Sequence, residues 1–269
     1  MPATIHLVRH AQGYHNLPRE KGGPDPHMLS DPELTELGKQ QCADLCASFP
    51  HHDKITHLVA SPIRRTVYTA LLSFRPAVDA GKAVKALPEV QEVSSLPCDT
   101  GSAPDVLARE FDSKLDLALV KDGWNDKSPS SPFAPQLSKL KARSRAARVW
   151  LRDLAARFGG DPHIVVVTHG GILHFLNQDW DGMTKEAGTG WKNTEWRSYE
   201  FVDASGEDPD AKLRETSASW ERRRGSAAPL SETELEELAA AHMDEMQEEL
   251  DRVEVLRQAR EAESKKHSG

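Results

Sequence analysis

The sequence predicts an α/β fold in three layers, α/β/α, built on a mostly parallel central sheet and followed by a C-terminal helical extension. Three observations predict it. Short aliphatic and β-branched runs alternate along the chain with longer helical segments, the order that places helices on both faces of a sheet. The run His163-Ile-Val-Val-Val167 is almost continuously apolar, as expected of a strand covered on both sides. Beyond residue 203 the chain turns polar and then Glu-rich, so the 269 residues divide into a core domain over 1–203 and an appendage over 204–269.

Thr4 to Arg9 alternates and is rich in β-branched residues, which reads as the first strand. A Gly/Pro-rich loop follows from Gly13 to Pro32, and Thr35 then caps a helix to about Phe49 with Leu37, Leu45 and Phe49 facing inward. Ile55 to Ala60 is the second strand, and Pro62 is placed as the first residue of a helix reaching about Phe74. Ala83 to Leu87 is a short third strand. Residues 94–135 carry five prolines and form a long irregular insertion with one or two short helices, the kind of segment that serves as a lid or binding loop.

Leu137 to Phe158 is an amphipathic helix with Leu140, Ala147, Leu151, Leu154 and Phe158 on its apolar stripe, closed by Gly159-Gly160-Asp161-Pro162. The apolar strand from His163 comes next, then a helix over Gly171 to Asn177 and a last strand over Ser198 to Val202. Residues 204–229 read as a polar linker. From Ser231 a long helix runs to about Ala262 with Leu235, Leu238, Met246, Leu250, Val253 and Leu256 facing roughly one way. That stripe either packs back on the domain or makes a homodimer arm.

The formal charge of −8 and a pI near 5.8 argue against nucleic acid or acidic lipid as a bulk partner, so an anionic substrate needs a local basic pocket. The N-terminus lacks the pattern of a secretory signal, and no apolar run approaches the roughly 18 residues of a membrane span. Cys42, Cys46 and Cys98 form no ligand pattern and read as reduced thiols, which points to a cytoplasmic protein.

Polar residues cluster where strands end. The first strand exits through Arg9-His10, and the strand over Ile164–Val167 exits through Thr168-His169-Gly-Gly171. The second leads into Ser61-Pro-Ile-Arg-Arg-Thr66. In open α/β sheets ligands bind beyond the carboxyl ends of strands, and a helix that starts there adds free N–H groups and a positive dipole end. Arginine's planar fork matches phosphate oxygens. Two histidines and three arginines at such positions suit a dianion held beside a neutral imidazole nucleophile.

These elements resemble the histidine phosphatase superfamily, in its phosphoglycerate mutase-like branch. Arg9-His-Ala-Gln-Gly-Tyr-His-Asn16 resembles the R-H-G/A-[EQ]…N signature, and Leu34-Thr-Glu-Leu-Gly38 the helix start. Ser61-Pro-Ile-Arg-Arg-Thr-Val-Tyr-Thr-Ala70 and Val166-Val-Thr-His-Gly-Gly171 are similar to the arginine and second-histidine elements. The matches keep the family's order over about residues 4–202. The resemblance implies a phosphoglycerate mutase-like fold and a phosphatase that forms a phosphohistidine on His10, with water then hydrolysing it. Arg9, Asn16, Arg65 and His169 would bind the phosphate, and Glu92, rather than Glu89, would protonate the leaving oxygen. His169 thus counts among the catalytic residues with His10 and Glu92. Side chains supply the positive charge, so neither metal nor other cofactor is implied. The substrate would be a small phosphorylated molecule or a phosphopeptide.

Arg64 is expected beside the site rather than in it, His15 either in the pocket or in a solvated loop, His6 in the core and His51-His52 in a surface turn. The phosphoglycerate mutases carry an R-H-Y-G-G-L-Q-G-like stretch where this chain has Ser94-Ser-Leu-Pro-Cys-Asp-Thr-Gly-Ser102, which weighs against mutase-type transfer. Pro97-Cys-Asp-Thr-Gly-Ser102 and Asn193-Thr-Glu-Trp-Arg-Ser-Tyr199 resemble a fungal subgroup, and Trp191, Asn193 and Trp196 either line the pocket or, the favoured reading, pack the sheet edge. A non-catalytic binding subunit that kept the fold is the third reading; the complete set of His10, Arg9, Arg65, His169 and a carboxylate opposes it.

Overall fold

The computed structural model describes residues 3–184 and 189–267. In chain order the elements are β1 (Thr4–Arg9), α1 (Glu36–Ser48), β2 (Ile55–Ala60), α2 (Arg64–Ser73), α3 (Arg75–Asp79), β3 (Val84–Ala86), α4 (Pro104–Phe111) and β4 (Leu115–Asp116). There follow α5 (Leu137–Phe158), β5 (His163–Thr168), α6 (Gly170–Asn177), β6 (Trp196–Phe201), β7 (Leu213–Glu215), α7 (Ser217–Arg224) and α8 (Glu232–His267). The strands form one sheet in the order β4-β3-β2-β5-β1-β6-β7. The pairings from β4 across to β1 are parallel; β6 is antiparallel to β1, and β7 to β6.

Alternation along the central strands explains the layers. Ile5, Leu7, Ile164 and Val166 face one core, shared with Leu140, Leu151, Ile172 and Leu176 of α5 and α6. Val8, Val165 and Val167 face the other, shared with Leu45, Val67, Phe74 and Leu107 on the opposite side. Every residue of β5 is buried, which accounts for its continuous apolar run. Burying one such side chain fully contributes about 1.5–3 kcal/mol.

Several local expectations shift. Pro62 precedes the helix instead of opening it: Ser61 Oγ accepts the Ile63 N–H at 3.3 Å, Ile63 is the N-cap, and α2 starts at Arg64. Its end comes at Ser73, because Pro76 lacks the N–H needed to carry the ladder on, and α3 restarts as a separate turn. Leu37 and Phe158 are each 55% exposed, since the buried stripe of α1 runs through Gly38, Cys42 and Leu45 and that of α5 stops at Ala155. Thr35 does cap α1, accepting from Gly38 N–H at 3.0 Å. A Cβ on Gly38 would lie 2.1 Å from the Gln12 carbonyl oxygen, so only glycine lets this turn press against the chain leaving β1.

The sheet also runs past the boundary expected at 203. In the segment read as a polar linker, β7 pairs with β6 and α7 packs behind it. The insertion likewise contributes α4 and the edge strand β4. On α8, Met246, Leu250 and Val253 are buried against the domain and Leu238 and Met243 pack partly against it, while Leu256 stays 47% exposed. Most of the stripe that could have made a dimer arm is therefore covered within the chain.

At the N-terminal side of the sheet, His6 is wholly buried between Ser198 Oγ (2.9 Å) and His163 Nδ1 (3.0 Å), against the rings of Phe49 and His51. Burial first, then the neighbouring His163 and His51, push its pKa down to about 3. Between that value and about 6.5 the unfolded chain binds the proton and the folded one does not. Stability is therefore complete above about pH 6.5 and falls as the pH falls. From pH 6.5 to 5 the loss from this group should be about 2 kcal/mol. Urea unfolding of the wild type and of His6→Gln over that range should give the variant the flatter dependence; equal slopes would refute the assignment.

Candidate active site

Register brings the polar strand ends together. Arg9 of β1 lies opposite Thr168 of β5, so Arg9-His10 and Thr168-His169 leave the sheet side by side. On the other flank of β5, Ala60 lies opposite Val167, and Ser61 N–H bonds to the Val167 carbonyl at 3.0 Å. The turn that follows carries Arg65 back over the strand ends on α2. After β3, the Val90 carbonyl accepts from Thr168 Oγ1 at 2.6 Å, which steers the next residues toward the start of α6.

His10 is 2% exposed. Its Nδ1–H donates to the Ala11 carbonyl at 2.7 Å, which fixes the tautomer and leaves a lone pair on Nε2. That lone pair accepts from Arg65 Nε–H at 3.3 Å. Burial, then Arg65, His15 and Arg9, hold the imidazole well below its ordinary pKa, so it is neutral and nucleophilic. The backbone is pinned as well: Asn193 Nδ2–H donates to the His10 carbonyl at 2.9 Å, and Ala11 N–H to Thr69 Oγ1 at 3.0 Å.

Arg65 is almost completely buried and its donors fan across the cluster. Besides Nε on His10, Nη1 reaches the Cys98 carbonyl at 2.5 Å, and Nη2 reaches Asp99 Oδ1 at 2.8 Å and His169 Nδ1 at 2.9 Å. Since His169 Nδ1 accepts, its Nε2–H must be the donor to Ser61 Oγ, 2.9 Å away. Burial and Arg65 keep His169 neutral too, and its ring centroid is 5.2 Å from that of His10. Arg9 Nη1 is held by the Trp191 carbonyl, whereas its buried Nε–H has no partner. A buried guanidinium donor left unpaired beside a nucleophile is what an entering anion would satisfy.

Glu92 sits on the N-terminus of α6. Its carboxylate accepts from Gly171 N–H (3.2 Å), Ile172 N–H (3.0 Å) and its neighbour Val93 N–H (2.9 Å). A Cβ at Gly171 would stand 2.7 Å from Glu92 Oε1, so the glycine makes room for the acid. Burial, followed by the charge of Asp99, raises the Glu92 pKa, while Arg65 and the N–H groups work against the rise. Glu89 differs: what the cluster holds there is its backbone carbonyl, bonded to Arg143 Nη1 at 2.8 Å.

Asn16 is half-buried and closes the turn that carries His15, accepting the Gly13 N–H at 3.1 Å. His15 lies in the pocket and not in a solvated loop: it is 6% exposed with its ring 5.4 Å from that of His10. Arg64 pairs with Glu33 and Glu110 beside the site. A cavity of 1780 Å³ lies elsewhere, among Arg148, His174, Trp180, Leu213 and Met243, and includes none of the residues assembled around His10. Convergent charge, not cavity size, marks this site.

A family model of the histidine phosphatase superfamily (branch 1) matches residues 5–207. The chain belongs to that superfamily. Among relatives, "Phosphoglycerate mutase-like protein 1" of Arabidopsis thaliana is 29% identical over 238 residues, covering 75% of this chain and 82% of the relative. A second, "Phosphoglycerate mutase-like protein" of the same plant, is 26% identical over 236 residues, or 74% of this chain and 84% of its own. The fold is shared with the ecdysone phosphate phosphatase of Bombix mori, solved with tungstate, at TM-score 0.53 and 14% identity over 87% of this chain and 99% of that one. It is shared too with phosphoglycerate mutase of Bacillus anthracis str. Sterne, at TM-score 0.52 and 16% identity over 80% and 91% of the two chains.

In this histidine phosphatase superfamily member, sequence reasoning missed residues that reach the cluster through long-range contacts. Asp99 and Lys127 enter from the insertion, and the buried Lys127 donates to the Glu92 carbonyl at 3.2 Å. Arg143 of α5 donates to the carbonyls of Glu89, Gln91 and Glu92, holding the acid-bearing turn. Of the two places open to Asn193, the favoured sheet edge gives way to the pocket side, where it holds the His10 backbone. Trp191 and Trp196 do pack, the first under the Arg197 guanidinium at 3.7 Å and the second against Phe49 at 4.9 Å.

Proposed function

We propose that this protein is a phosphatase that hydrolyses a phosphate monoester through a phosphohistidine on His10. What carries the reading is the state of that imidazole: neutral, fixed in one tautomer, and aimed with its Nε2 lone pair at a buried arginine. As the phosphate enters, Arg65 exchanges its bond to Nε2 for one to a phosphate oxygen, which frees the lone pair to attack phosphorus in line. The unpaired Nε–H of Arg9 takes a second oxygen, His169 turns its Nε2–H from Ser61 to a third, and Asn16 completes the clamp. Positioning and charge stabilisation are what phosphoryl transfer needs most. The P–O bond to the alcohol breaks as the N–P bond forms, and Glu92 gives its proton to the departing oxygen. Water then attacks phosphorus, breaks the N–P bond and releases inorganic phosphate, returning a proton to Glu92. Arginines and neutral imidazoles supply the positive charge and hydrogen bonds, so the reaction needs no metal ion. The substrate is a small phosphorylated molecule or a phosphopeptide.

Purified protein should release phosphate from p-nitrophenyl phosphate in excess EDTA and trap a label that is acid-labile and base-stable. Interconversion of 2- and 3-phosphoglycerate faster than phosphate release would instead establish mutase-type transfer. Absence of both activities, with no label, would leave a binding subunit.

A further inference from the structure

The insertion carries a carboxylate into a pocket built to hold an anion. Asp99 is buried; Oδ1 lies 2.8 Å from Arg65 Nη2, and Oδ2 accepts from Ser94 Oγ at 2.6 Å. The surrounding turn is fixed from two sides. Asp31 accepts from Ser102 N–H at 2.8 Å and Ser102 Oγ at 2.7 Å, and Trp124 Nε1–H donates to the Ser102 carbonyl at 3.1 Å. A fixed negative charge beside the phosphate clamp opposes a dianion, so its presence needs a compensating role.

Glu92 supplies the reason. Two backbone N–H groups at the N-terminus of α6, with that of Val93, favour its ionised form, which has no proton to give. The charged side chains that reach Glu92 add to that pull: Arg65 from α2, Arg9 from the end of β1, Arg143 from α5 and Lys127 from the insertion. Across the pocket stand the histidines His10, His15 and His169, all held neutral by burial. The charge that bears most strongly on Glu92 is that of Asp99.

We propose that Asp99 is a positioning residue that keeps the proton on Glu92 for the leaving oxygen, while it holds the Arg65 fork against His10 and His169. Paired carboxylates in unlike surroundings divide such roles: Asp99 stays ionised on Arg65 and Ser94, and Glu92 keeps its proton. This rests on the reading of Glu92 as the proton donor.

The test is Asp99→Asn, which preserves shape and removes charge, assayed across pH on two esters. An alkyl phosphate needs its leaving oxygen protonated; p-nitrophenyl phosphate does not. In the variant the alkaline limb of kcat for the alkyl ester should move down by about one pH unit, about a tenfold loss at pH 8. The p-nitrophenyl rate should fall only by what the loosened Arg65 fork costs, by the same factor at every pH and with no shift of the limb. Parallel losses on both esters with an unmoved pH profile would overturn the proposal and leave Asp99 as a support for Arg65 alone. Should Asp99→Asn fail to fold, Ser94→Ala removes the Oδ2 hydrogen bond, together with the one Ser94 accepts from Leu96 N–H, and leaves both carboxylates in place. A smaller shift of the same limb in the same direction is then expected, and no shift overturns the idea. A wild type that cleaves p-nitrophenyl phosphate but whose alkyl-ester profile is unmoved by Glu92→Gln would sink the proton-donor reading itself, a result separable from the others.

Discussion

His10→Ala should reduce turnover of every phosphate ester by about four orders of magnitude or more, and should abolish the acid-labile phosphoryl label. Neither neighbouring imidazole stands where His10 does. His169 spends both nitrogens on Arg65 and Ser61, and the His15 ring, pushed to a pKa of about 3 by burial, is set 5.4 Å away centroid to centroid, with its unpartnered Nδ1 close against Gly13. The variant should still fold. Its two lost hydrogen bonds run to the adjacent Ala11 carbonyl and from Arg65 Nε, whose guanidinium keeps its other partners, while the backbone amide and carbonyl of residue 10 stay bonded to Thr168 and Asn193. Residual turnover within about tenfold of wild type, in a folded variant, would remove His10 from the chemistry.

Arg65→Ala should cost nearly as much activity, about 10³-fold in kcat/KM, since one side chain orients the nucleophile, the second histidine and the phosphate. Unlike His10→Ala it should also destabilise the fold. Removing the guanidinium leaves the buried Asp99 carboxylate with the Ser94 hydroxyl as its main support, a loss of about 3 kcal/mol for breaking a buried ion pair from one side. Adding Asp99→Asn should restore most of the stability and none of the activity. If the double variant is no more stable than Arg65→Ala alone in urea unfolding, the two charges are not coupled as described.

The residues that could be read from the sequence are those whose chemistry is set by local chain order. β5 announces itself because both of its faces are covered, and Arg9-His10, Arg65 and His169 stand at fixed offsets from strand ends. β7 escaped notice because three residues with Leu213 alone buried carry no period. Lys127 resembles any solvated loop lysine until the fold places it under the Glu92 carbonyl. Asp99 had a weak signal in its Pro-Cys-Asp-Thr-Gly setting, but its partner is 34 positions away. Arg143 sits on an apolar stripe where a charge looks misplaced; the backbone carbonyls it serves are more than 50 positions distant. Contacts of that length arise from topology and leave no periodic trace.

The side-by-side exit of β1 and β5 also bears on how the protein comes apart. Those two strands lie in the middle of the sheet with partners on both flanks, whereas β4 and β7 lie at its edges. Amide hydrogens around Arg9 and Thr168 therefore belong to the slowest-exchanging class, released only when the whole domain opens, while the margins open at far lower free energy. The nucleophile and its companion histidine are held by the last part of the molecule to unravel. Partly opened forms that have shed the edge strands should keep the phosphate clamp assembled, and thermal inactivation should follow the loss of the central strands, not the fraying of the edges.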